Sequence, residues 1–201
     1  MSITVTAIAN ALLASNTAIK QHEQDLNAAD AKLGDGDTGG MLARAIGKMA
    51  ELDLSTGNDV GAAFSTLARA ATSATGSSLG TLLATALLTI GRETKGRDSI
   101  EDGELANLLA KARDAMMARG GAALGDKTVL DSLDAVVQAL SRAGEPVGPT
   151  AVAAANEALD DFRSRPNRIG RARMFGDATI GVDDPGMLAF ARLTEALAGG
   201  N

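Results

Sequence analysis

Apolar residues recur along the chain at spacings of three and four, the repeat of one buried face of an α-helix. The clearest repeats run from Met41 to Met49, from Leu82 to Ile90, from Val129 to Leu140 and from Met187 to Leu197. No segment alternates apolar and polar residues for long enough to predict a strand. Gly, Pro and capping residues divide the pattern into eight predicted helices, near residues 2–28, 39–53, 59–74, 78–94, 99–119, 128–143, 150–163 and 185–198. The pattern therefore predicts an all-α fold, a bundle of eight antiparallel up-and-down helices.

Capping residues mark several of the predicted helix starts. The predicted caps are Asp59 for the third helix, Asp98 or Ser99 for the fifth, Thr150 for the seventh and Asp184, followed by Pro185, for the eighth. Proline is favoured at the first helical position because the N–H that it lacks would have no partner there. These signals locate the helix starts independently of the apolar repeat.

The connections between the predicted helices are of two kinds. Those after the even helices, residues 54–58, 95–97 and 144–149, are plain. Those after the odd helices are rich in Gly, Asp and hydroxyl side chains, and they are residues 30–38, 75–78, 120–127 and 163–184. In an antiparallel bundle every odd connection lies at the same end, so we expect these four loops to converge on one rim.

The composition removes several classes of protein. The 201 residues include no Cys and one His, which excludes disulfide scaffolds, thiolate metal sites and zinc sites with two or more histidines. A formal net charge of -6 and 2% aromatic residues argue against nucleic-acid binding, which needs basic surface and stacking side chains. There is no apolar stretch long enough to span a membrane. A secretory signal would have basic residues before its apolar segment, and this sequence has none there. We therefore expect a cytoplasmic protein with no membrane span.

Three aspartates, Asp30, Asp35 and Asp37, are interleaved with Gly34 and Gly36. The glycines permit a tight backbone path. Carboxylates held close together repel one another unless a cation neutralises them. Because these ligands are all oxygen atoms, the loop predicts a site for Mg²⁺, Ca²⁺ or Mn²⁺, with a solvated acidic turn as the alternative.

The segment Thr75-Gly76-Ser77-Ser78 opens the predicted fourth helix. Hydroxyls and backbone N–H groups at a helix N-terminus favour anions. Taken alone, the segment is an ordinary helix cap, but we expect it on the same rim as the aspartates. Since Mg²⁺ is usually held by a few carboxylates together with substrate phosphates, the segment is predicted to be a phosphate cradle.

Three groups of residues resemble the nucleotide-binding L subunit of the dihydroxyacetone kinase family. Residues 26–37 resemble its metal loop, Gly125 to Asp131 its G-D-K-T-hydrophobic-x-D segment, and residues 170–186 its last glycine-rich loop. The motifs occur in family order over nearly the whole chain, which implies a single nucleotide-binding domain of residues 1–201. The resemblance implies a closed barrel of eight antiparallel helices with the nucleotide at one rim.

The resemblance also implies a role for each motif. Asp30, Asp35 and Asp37 would hold two Mg²⁺ ions between the β- and terminal phosphates of ADP or ATP, and with Arg171 they are the implied catalytic residues. The implied nucleotide contacts are Thr38 after the last aspartate, Gly76, Ser77 and Ser78 along the phosphates, Gly125, Thr128 and Val129 at the adenine, and Arg171, Asp184, Pro185 and Gly186 over the nucleotide and ribose.

Four positions depart from the family pattern. Thr38 and Val182 stand where His is usual, Met41 where Asn is usual, and Ala178 where Arg is usual. The metal ligands are kept, whereas some polar nucleotide contacts are lost. The departures leave open an altered nucleotide geometry, a different sugar acceptor or weak activity.

Phosphoryl transfer requires charge neutralisation and in-line positioning more than covalent chemistry from the protein. The sequence shows no sugar site, since it has no Cys and the one histidine, His22, is expected to be a solvated residue within the first helix. The resemblance therefore implies a separate K-type subunit that holds dihydroxyacetone or a related short ketose. The preferred phosphoryl donor is a phosphocarrier protein of the phosphotransferase system, with ADP as a bound cofactor. The alternative is ATP, as in kinases of erythrulose.

Two other classes of function stay open at this stage. One is a nucleotide-loaded regulatory module without activity of its own, which the residues at positions 38, 41 and 178 favour. The other is a helical structural protein with a calcium-stabilised turn. Whether the chain forms a homodimer is also open.

Overall fold

Helices account for most of the chain in the computed structural model, which describes residues 2–55, 57–142 and 146–199. The α-helices of these ranges are Val5–Asp30 (α1), Thr38–Ala50 (α2), Val60–Ala74 (α3), Ser78–Glu93 (α4), Asp102–Gly120 (α5), Val129–Arg142 (α6), Val147–Arg163 (α7) and Pro185–Gly199 (α8). Two short strands, Ser2–Ile3 (β1) and Ile100–Glu101 (β2), pair antiparallel, and a 3₁₀ segment, Ala172–Thr179, lies between α7 and α8. None of these helices has both the length and the apolar character needed to cross a bilayer.

The helices form a closed ring. Each α-helix packs against the next one along the chain, and α8 packs against α1 as well as against α7. Neighbouring helices that are joined by short connections run antiparallel. The prediction of an all-α closed barrel with up-and-down helices is therefore confirmed.

The inner faces of the helices carry the apolar repeat of the sequence. Ile19 and Leu26 of α1, Leu67 of α3 and Leu130 of α6 are at most 1% exposed. Burying one large aliphatic side chain contributes roughly 1.5–3 kcal/mol, so these positions fix the face that each helix turns to the core. Alanines fill most of the buried positions of α7, which lets its neighbours approach closely.

Short links close the rim at which α4 is joined to α5. There β1 pairs with β2, and the N–H of Val60 donates to the carbonyl oxygen of Arg97 over 2.8 Å. The Arg97 guanidinium also bonds both carboxylate oxygens of Glu104, which lowers the pKa of Glu104 to about 2. These contacts tie β1, the start of α3 and the start of α5 to the link between α4 and α5.

Two predicted starts are wrong near the paired strands. The first helix begins at Val5 and not at residue 2, because Ser2 and Ile3 are in β1 and the Thr4 hydroxyl accepts from the Ala7 N–H over 3.3 Å. The fifth begins at Asp102, and neither Asp98 nor Ser99 caps it. Instead, the side chains of Glu101 and Glu104 form a reciprocal capping box at the end of β2.

The start of α7 at Val147 also differs from the predicted cap at Thr150. Pro149 lies in the first turn of α7, where a missing N–H breaks no helical hydrogen bond. Residue 143 at the predicted end of the sixth helix, residues 144 and 145 of the predicted link 144–149, and residue 56 of the link 54–58 lie outside the described residues.

The other two predicted caps are confirmed. The Asp59 carboxylate accepts from the Ala62 N–H over 3.0 Å at the start of α3. The Asp184 carboxylate accepts from the Met187 N–H over 3.0 Å at the start of α8.

A close approach of α3 and α4 depends on Gly61. A Cβ at Gly61 would lie 2.6 Å from the carbonyl oxygen of Gly91 and 2.6 Å from backbone atoms of Lys95, which cannot rotate away. We expect Gly61→Ala to lower the free energy of unfolding by about 2–3 kcal/mol, through overpacking. In a thermal melt this corresponds to a fall in Tm of roughly 5–10 °C.

Gly103→Ala is the matched control for this substitution. A Cβ at Gly103 in α5 meets open space. The change should leave Tm unchanged or raise stability by up to about 1 kcal/mol, because alanine favours helix. A wild-type Tm for Gly61→Ala would contradict the tight approach of the two helices.

Candidate functional site

The four loops that follow the odd-numbered helices meet at one rim, as the sequence predicts. The longest is the late loop, residues 164–184, between α7 and α8. Two contacts join the late loop to other connections: Arg171 with Asp35, and the Arg168 N–H with the Asp126 carbonyl oxygen over 3.0 Å. At the start of α8, directly after the late loop, a Cβ on Gly186 would lie 3.8 Å from Cδ1 of Leu79 at the start of α4. The rim therefore brings together residues that are far apart in the sequence.

The acidic loop, residues 30–37, gathers three carboxylates at this rim. One oxygen atom from each of Asp30, Asp35 and Asp37 lies within 4.8 Å of the other two. Asp30 is the last residue of α1 and is buried, whereas the other two side chains are exposed. A cluster of carboxylate oxygens with access to solvent is suited to a hard divalent cation.

Backbone N–H groups fix the buried carboxylate of Asp30. Its Oδ2 accepts from the N–H of Asp37 over 2.9 Å and from the N–H of Thr38 over 3.2 Å. These bonds tie the end of α1 to the start of α2. Asp37 occupies the N-cap position of α2 without a side-chain capping bond, so its carboxylate is not committed to the helix.

Leu33 and Gly34 shape the acidic loop around Asp30. The Leu33 side chain is 2% exposed and anchors the loop in the core. A Cβ at Gly34 would lie 2.4 Å from Oδ1 of Asp30, so only glycine lets the backbone pass this carboxylate. The glycine predicted to allow a tight path is thus required by a specific close approach.

Arg171 of the late loop forms an ion pair with Asp35. Its Nη1 contacts Oδ2 of Asp35, and both side chains are about half exposed. The hydrogen bond from Arg171 lowers the pKa of Asp35, and the same pairing raises the pKa of Arg171. The family resemblance implied a place for Arg171 over the nucleotide but not this pairing, which puts a guanidinium at the edge of the acidic loop.

The predicted phosphate cradle forms the N-terminus of α4. Ser77 is the N-cap, since its Oγ accepts from the Gly80 N–H over 3.0 Å and its own N–H donates to the Thr75 hydroxyl over 3.1 Å. Gly76 and Ser78 are exposed beside it. The helix cap therefore exists as predicted, and Cδ1 of Leu79 next to it would lie 3.8 Å from a Cβ on Gly186 of α8.

Asp131 organises the loop between α5 and α6. Its carboxylate is 5% exposed and accepts from the N–H of Gly125 over 2.5 Å and of Thr128 over 2.8 Å. Burial raises the pKa of Asp131, while these two donors lower it. At the start of α6, the Val129 Cβ lies 3.5 Å from the position of a Cβ on Gly186. The residues predicted at the adenine and at the ribose are therefore neighbours.

Three buried polar residues of this rim have no predicted role, namely Lys127, Asn167 and Thr179. Lys127 lies inside the motif that runs from Gly125 to Asp131, so the motif was its only signal. Neither Asn167 nor Thr179 is one of the residues that carry a sequence motif, so nothing in the sequence pointed to them. All three hold the late loop in place, as their hydrogen bonds with the loop backbone show.

Asp184 connects the late loop to α8. Its Oδ1 accepts from the Met187 N–H, and its Oδ2 accepts from the Asn167 side-chain amide over 2.8 Å. Burial raises the pKa of Asp184 to about 6, although these donors and the Lys127 ammonium act in the opposite direction.

The raised pKa of Asp184 makes stability depend on pH. Because about 6 lies above the ordinary value of about 3.9, the folded protein holds this proton more tightly than the unfolded chain does. The stabilising contribution is therefore fully present below about pH 4 and is lost as pH rises through about 6. We expect the destabilisation caused by Asp184→Asn to be about 1–1.5 kcal/mol larger at pH 5 than at pH 7.5, in urea unfolding. A difference from wild type that does not change with pH would contradict the raised pKa.

The positions that depart from the family pattern differ in their surroundings. Met41 is 2% exposed and packs in the core, so its side chain does not face a ligand. Thr38 contributes its backbone N–H to Asp30. Ala178 is exposed in the 3₁₀ segment and Val182 is partly buried.

Comparison with known proteins gives a consistent set of matches. A family model described as the DAK2 domain matches residues 32–199. The L-erythrulose 1-kinase of Mycolicibacterium smegmatis is 32% identical over 183 residues, which cover 88% of this chain and 32% of the relative. The ADP-binding subunit DhaL of the PEP-dependent dihydroxyacetone kinase of Escherichia coli is 28% identical over 205 residues, which cover 98% of each chain.

A solved structure has the same fold. The crystal structure of the dihydroxyacetone kinase from C. freundii in complex with AMP-PNP and Mg²⁺ superposes with a TM-score of 0.74 and 26% identity, over 96% of this chain and 33% of that chain. The chain thus spans about a third of the M. smegmatis and C. freundii kinases and nearly all of the E. coli subunit.

Proposed function

The chain belongs to the DAK2 domain family, and on this basis we propose that it is the nucleotide- and Mg²⁺-binding half of a kinase for dihydroxyacetone or a related short ketose. The family match confirms the resemblance to the L subunit, and a kinase-related function follows from it. The observation that carries the proposal is the acidic loop, in which one oxygen atom from each of three aspartates lies within 4.8 Å of the other two and one of the three, Asp35, pairs with Arg171 at an open rim.

The acidic loop fits Mg²⁺. All three donors are carboxylate oxygens, and two N–H groups hold the carboxylate of Asp30 in place. Three carboxylates beside one guanidinium leave an excess of negative charge in the acidic loop, which a divalent cation would neutralise. We assign Asp30, Asp35 and Asp37 as ligands of Mg²⁺, with two ions as the resemblance implies. When bound, Mg²⁺ would neutralise and orient the phosphates of the nucleotide.

ADP or ATP is proposed to lie across the rim. The N-terminus of α4 at Gly76, Ser77 and Ser78 offers N–H groups and hydroxyls to the phosphates. The nucleoside would lie against two groups of residues that adjoin at Val129 and Gly186. One group is Gly125, Thr128 and Val129, and the other is Asp184, Pro185 and Gly186. The backbone N–H of Thr38, which donates to Asp30, would lie beside the terminal phosphate of the nucleotide.

Arg171 is proposed to stabilise the phosphoryl group during transfer. In this reaction the bond between the terminal phosphorus of the bound nucleoside triphosphate and its bridging oxygen breaks and ADP is left, while the phosphorus bonds to the acceptor alcohol, which gives up its proton. Negative charge spreads over the equatorial oxygens of the transferred group. A guanidinium presents several N–H donors in one plane to such oxygens. The contact with Asp35 already holds Arg171 beside the place where the phosphates would lie.

The acceptor ketose is proposed to come from a K-type subunit. His22 is a half-buried residue of α1, and its Nδ1 lies 4.0 Å from Oδ2 of Asp25. This pairing within one helix does not resemble a sugar-binding centre. The relative from E. coli is PEP-dependent, which favours a phosphocarrier protein as donor and ADP as a cofactor. The match to an L-erythrulose 1-kinase favours the second candidate, transfer from ATP to erythrulose.

A melting experiment tests nucleotide binding. We expect ADP or ATP to raise Tm only when Mg²⁺ is present, because the aspartates repel the phosphates without a cation. The measurement is differential scanning fluorimetry with each nucleotide, with and without Mg²⁺, and with Ca²⁺ in its place. A preference for Ca²⁺ together with no effect of nucleotide would contradict the proposal and favour a calcium-stabilised turn.

Two further measurements separate the donors and the regulatory module. Retention of ADP through desalting, detected by mass spectrometry, supports the phosphocarrier version, and its complete loss counts against that version. Phosphoryl transfer reconstituted with a purified K-type subunit excludes a module without activity.

A further inference from the structure

One buried side chain, that of Lys127, closes the base of the late loop. Its Nζ donates to the carbonyl oxygens of Arg165 and Thr179 over 2.8 Å each and to that of Arg163 over 3.4 Å. Arg163 and Arg165 lie where the chain leaves α7, and Thr179 lies at the end of the 3₁₀ segment. A single ammonium group therefore joins the two ends of the segment that carries Arg171.

The surroundings of Lys127 exclude direct contact with a ligand. An ammonium has three N–H donors, and the three carbonyl oxygens account for all of them. The side chain is 1% exposed, so it does not reach the open rim. Its position between backbone segments indicates that it acts on the loop and not on a substrate.

Asn167 connects the same lysine to the start of α8. Its side-chain amide donates to the carbonyl oxygen of Lys127 over 2.9 Å and to Asp184 over 2.8 Å. Its N–H donates to the Thr179 hydroxyl over 2.9 Å. Lys127 itself has φ 63°, a left-handed conformation that residues other than glycine rarely adopt. Such a backbone persists only where its surroundings hold it, as this set of buried bonds does.

We propose that Lys127 is a positioning residue that holds the late loop over the acidic loop and thereby sets the place of Arg171. Lys127 stands between Gly125 and Thr128, the residues assigned to the adenine. Binding of adenine beside Lys127 and the position of Arg171 in the late loop are therefore coupled through the Lys127 side chain. The role of Arg171 in transfer rests on the proposed function, whereas the hold on the loop does not.

Trypsin tests the hold on the loop, because the late loop contains Arg168, Arg171 and Arg173. We expect Lys127→Met to be cut after these residues at least about tenfold faster than wild type, without nucleotide, since proteolysis reports local opening. Mass spectrometry of the fragments identifies the cuts. Lys111→Met is the matched control, because Lys111 pairs with Glu93 on the surface, and it should be cut at the wild-type rate.

Protection by ADP and Mg²⁺ separates positioning from general stability. In wild type we expect the two together to slow cleavage after Arg171, and in Lys127→Met we expect this protection to be lost. Lys127→Arg keeps a cation and should recover part of it. A purely structural role predicts faster cuts throughout the chain, including after Arg113 in α5, with protection of the late loop retained.

The outcomes distinguish the inference from the proposed function. Cleavage of the late loop at the same rate in Lys127→Met and wild type would overturn the inference. If circular dichroism shows Lys127→Met to be unfolded, Asn167→Ala is used in its place. Faster cleavage of Asn167→Ala confined to the late loop supports the inference. Cleavage of its late loop at the wild-type rate overturns the inference. If ADP with Mg²⁺ protects nothing in wild type, the proposed function fails, and the rates without nucleotide still decide the role of Lys127.

Discussion

We expect the Asp37→Asn variant to lose nearly all of the thermal stabilisation that ADP with Mg²⁺ gives the wild-type protein. A ligand at about 100 times its Kd stabilises the folded state by about 2.7 kcal/mol, which for a chain of this size raises Tm by roughly 5–10 °C. An amide is a poor replacement for one of three carboxylate ligands. If binding weakens about a hundredfold, the stabilisation falls to about 0.4 kcal/mol, which fluorimetry barely detects.

The stability without ligand distinguishes this effect from damage to the fold. The Asp37 side chain makes no capping bond, so the variant should melt close to wild type when no nucleotide is added. Asp98→Asn is the matched control, because Asp98 is exposed in the link between α4 and α5 and the charge change is the same. A full response of Asp37→Asn to ADP and Mg²⁺ would show that the acidic loop does not hold the metal.

Replacing Arg171 by alanine is expected to slow phosphoryl transfer by about 10³-fold, the lower end of the range for an arginine that stabilises the transferred group. Binding of ADP with Mg²⁺ should change by less than about tenfold, because the aspartates and the N-terminus of α4 remain. The measurement is the rate of ketose phosphate formation with a purified K-type subunit, beside calorimetry of nucleotide binding.

Arg173→Ala provides the comparison in the same loop. Arg173 is exposed in the 3₁₀ segment and carries the same charge, two residues from Arg171. We expect it to retain transfer within about threefold, as for ordinary surface changes. Equal losses in the two variants would indicate a general effect of positive charge at the rim, and an unchanged rate for Arg171→Ala would remove this arginine from the reaction.

The helices and the rim could be predicted because both depend on local pattern. A repeat of three and four selects the buried face of a helix wherever Leu and Ala supply the packing, as Leu67 and Ala71 do in α3. The alternation of plain and polar connections then places the odd loops together. The acidic loop was predicted for the same reason, since its three aspartates are neighbours in the sequence.

What could not be predicted depends on contacts between distant segments. The ion pair of Asp35 with Arg171 and the hydrogen bond from Lys127 to the Thr179 carbonyl oxygen join residues that are far apart in the sequence. The strand pairing that displaced the predicted start of the fifth helix is also non-local, since Ile3 pairs with Ile100. No pattern within one segment records such a partner.

The return of α8 to α1 sets an order of events during synthesis of the protein on the ribosome. A nascent chain that stops before residue 185 has an open ring, with the apolar edges of α1 and α7 both lacking their neighbour. Helices can form early, but the barrel closes only when the eighth helix has left the exit tunnel. Until then the growing chain exposes apolar surface of the kind that chaperones recognise, so the barrel cannot complete its assembly before the eighth helix has emerged.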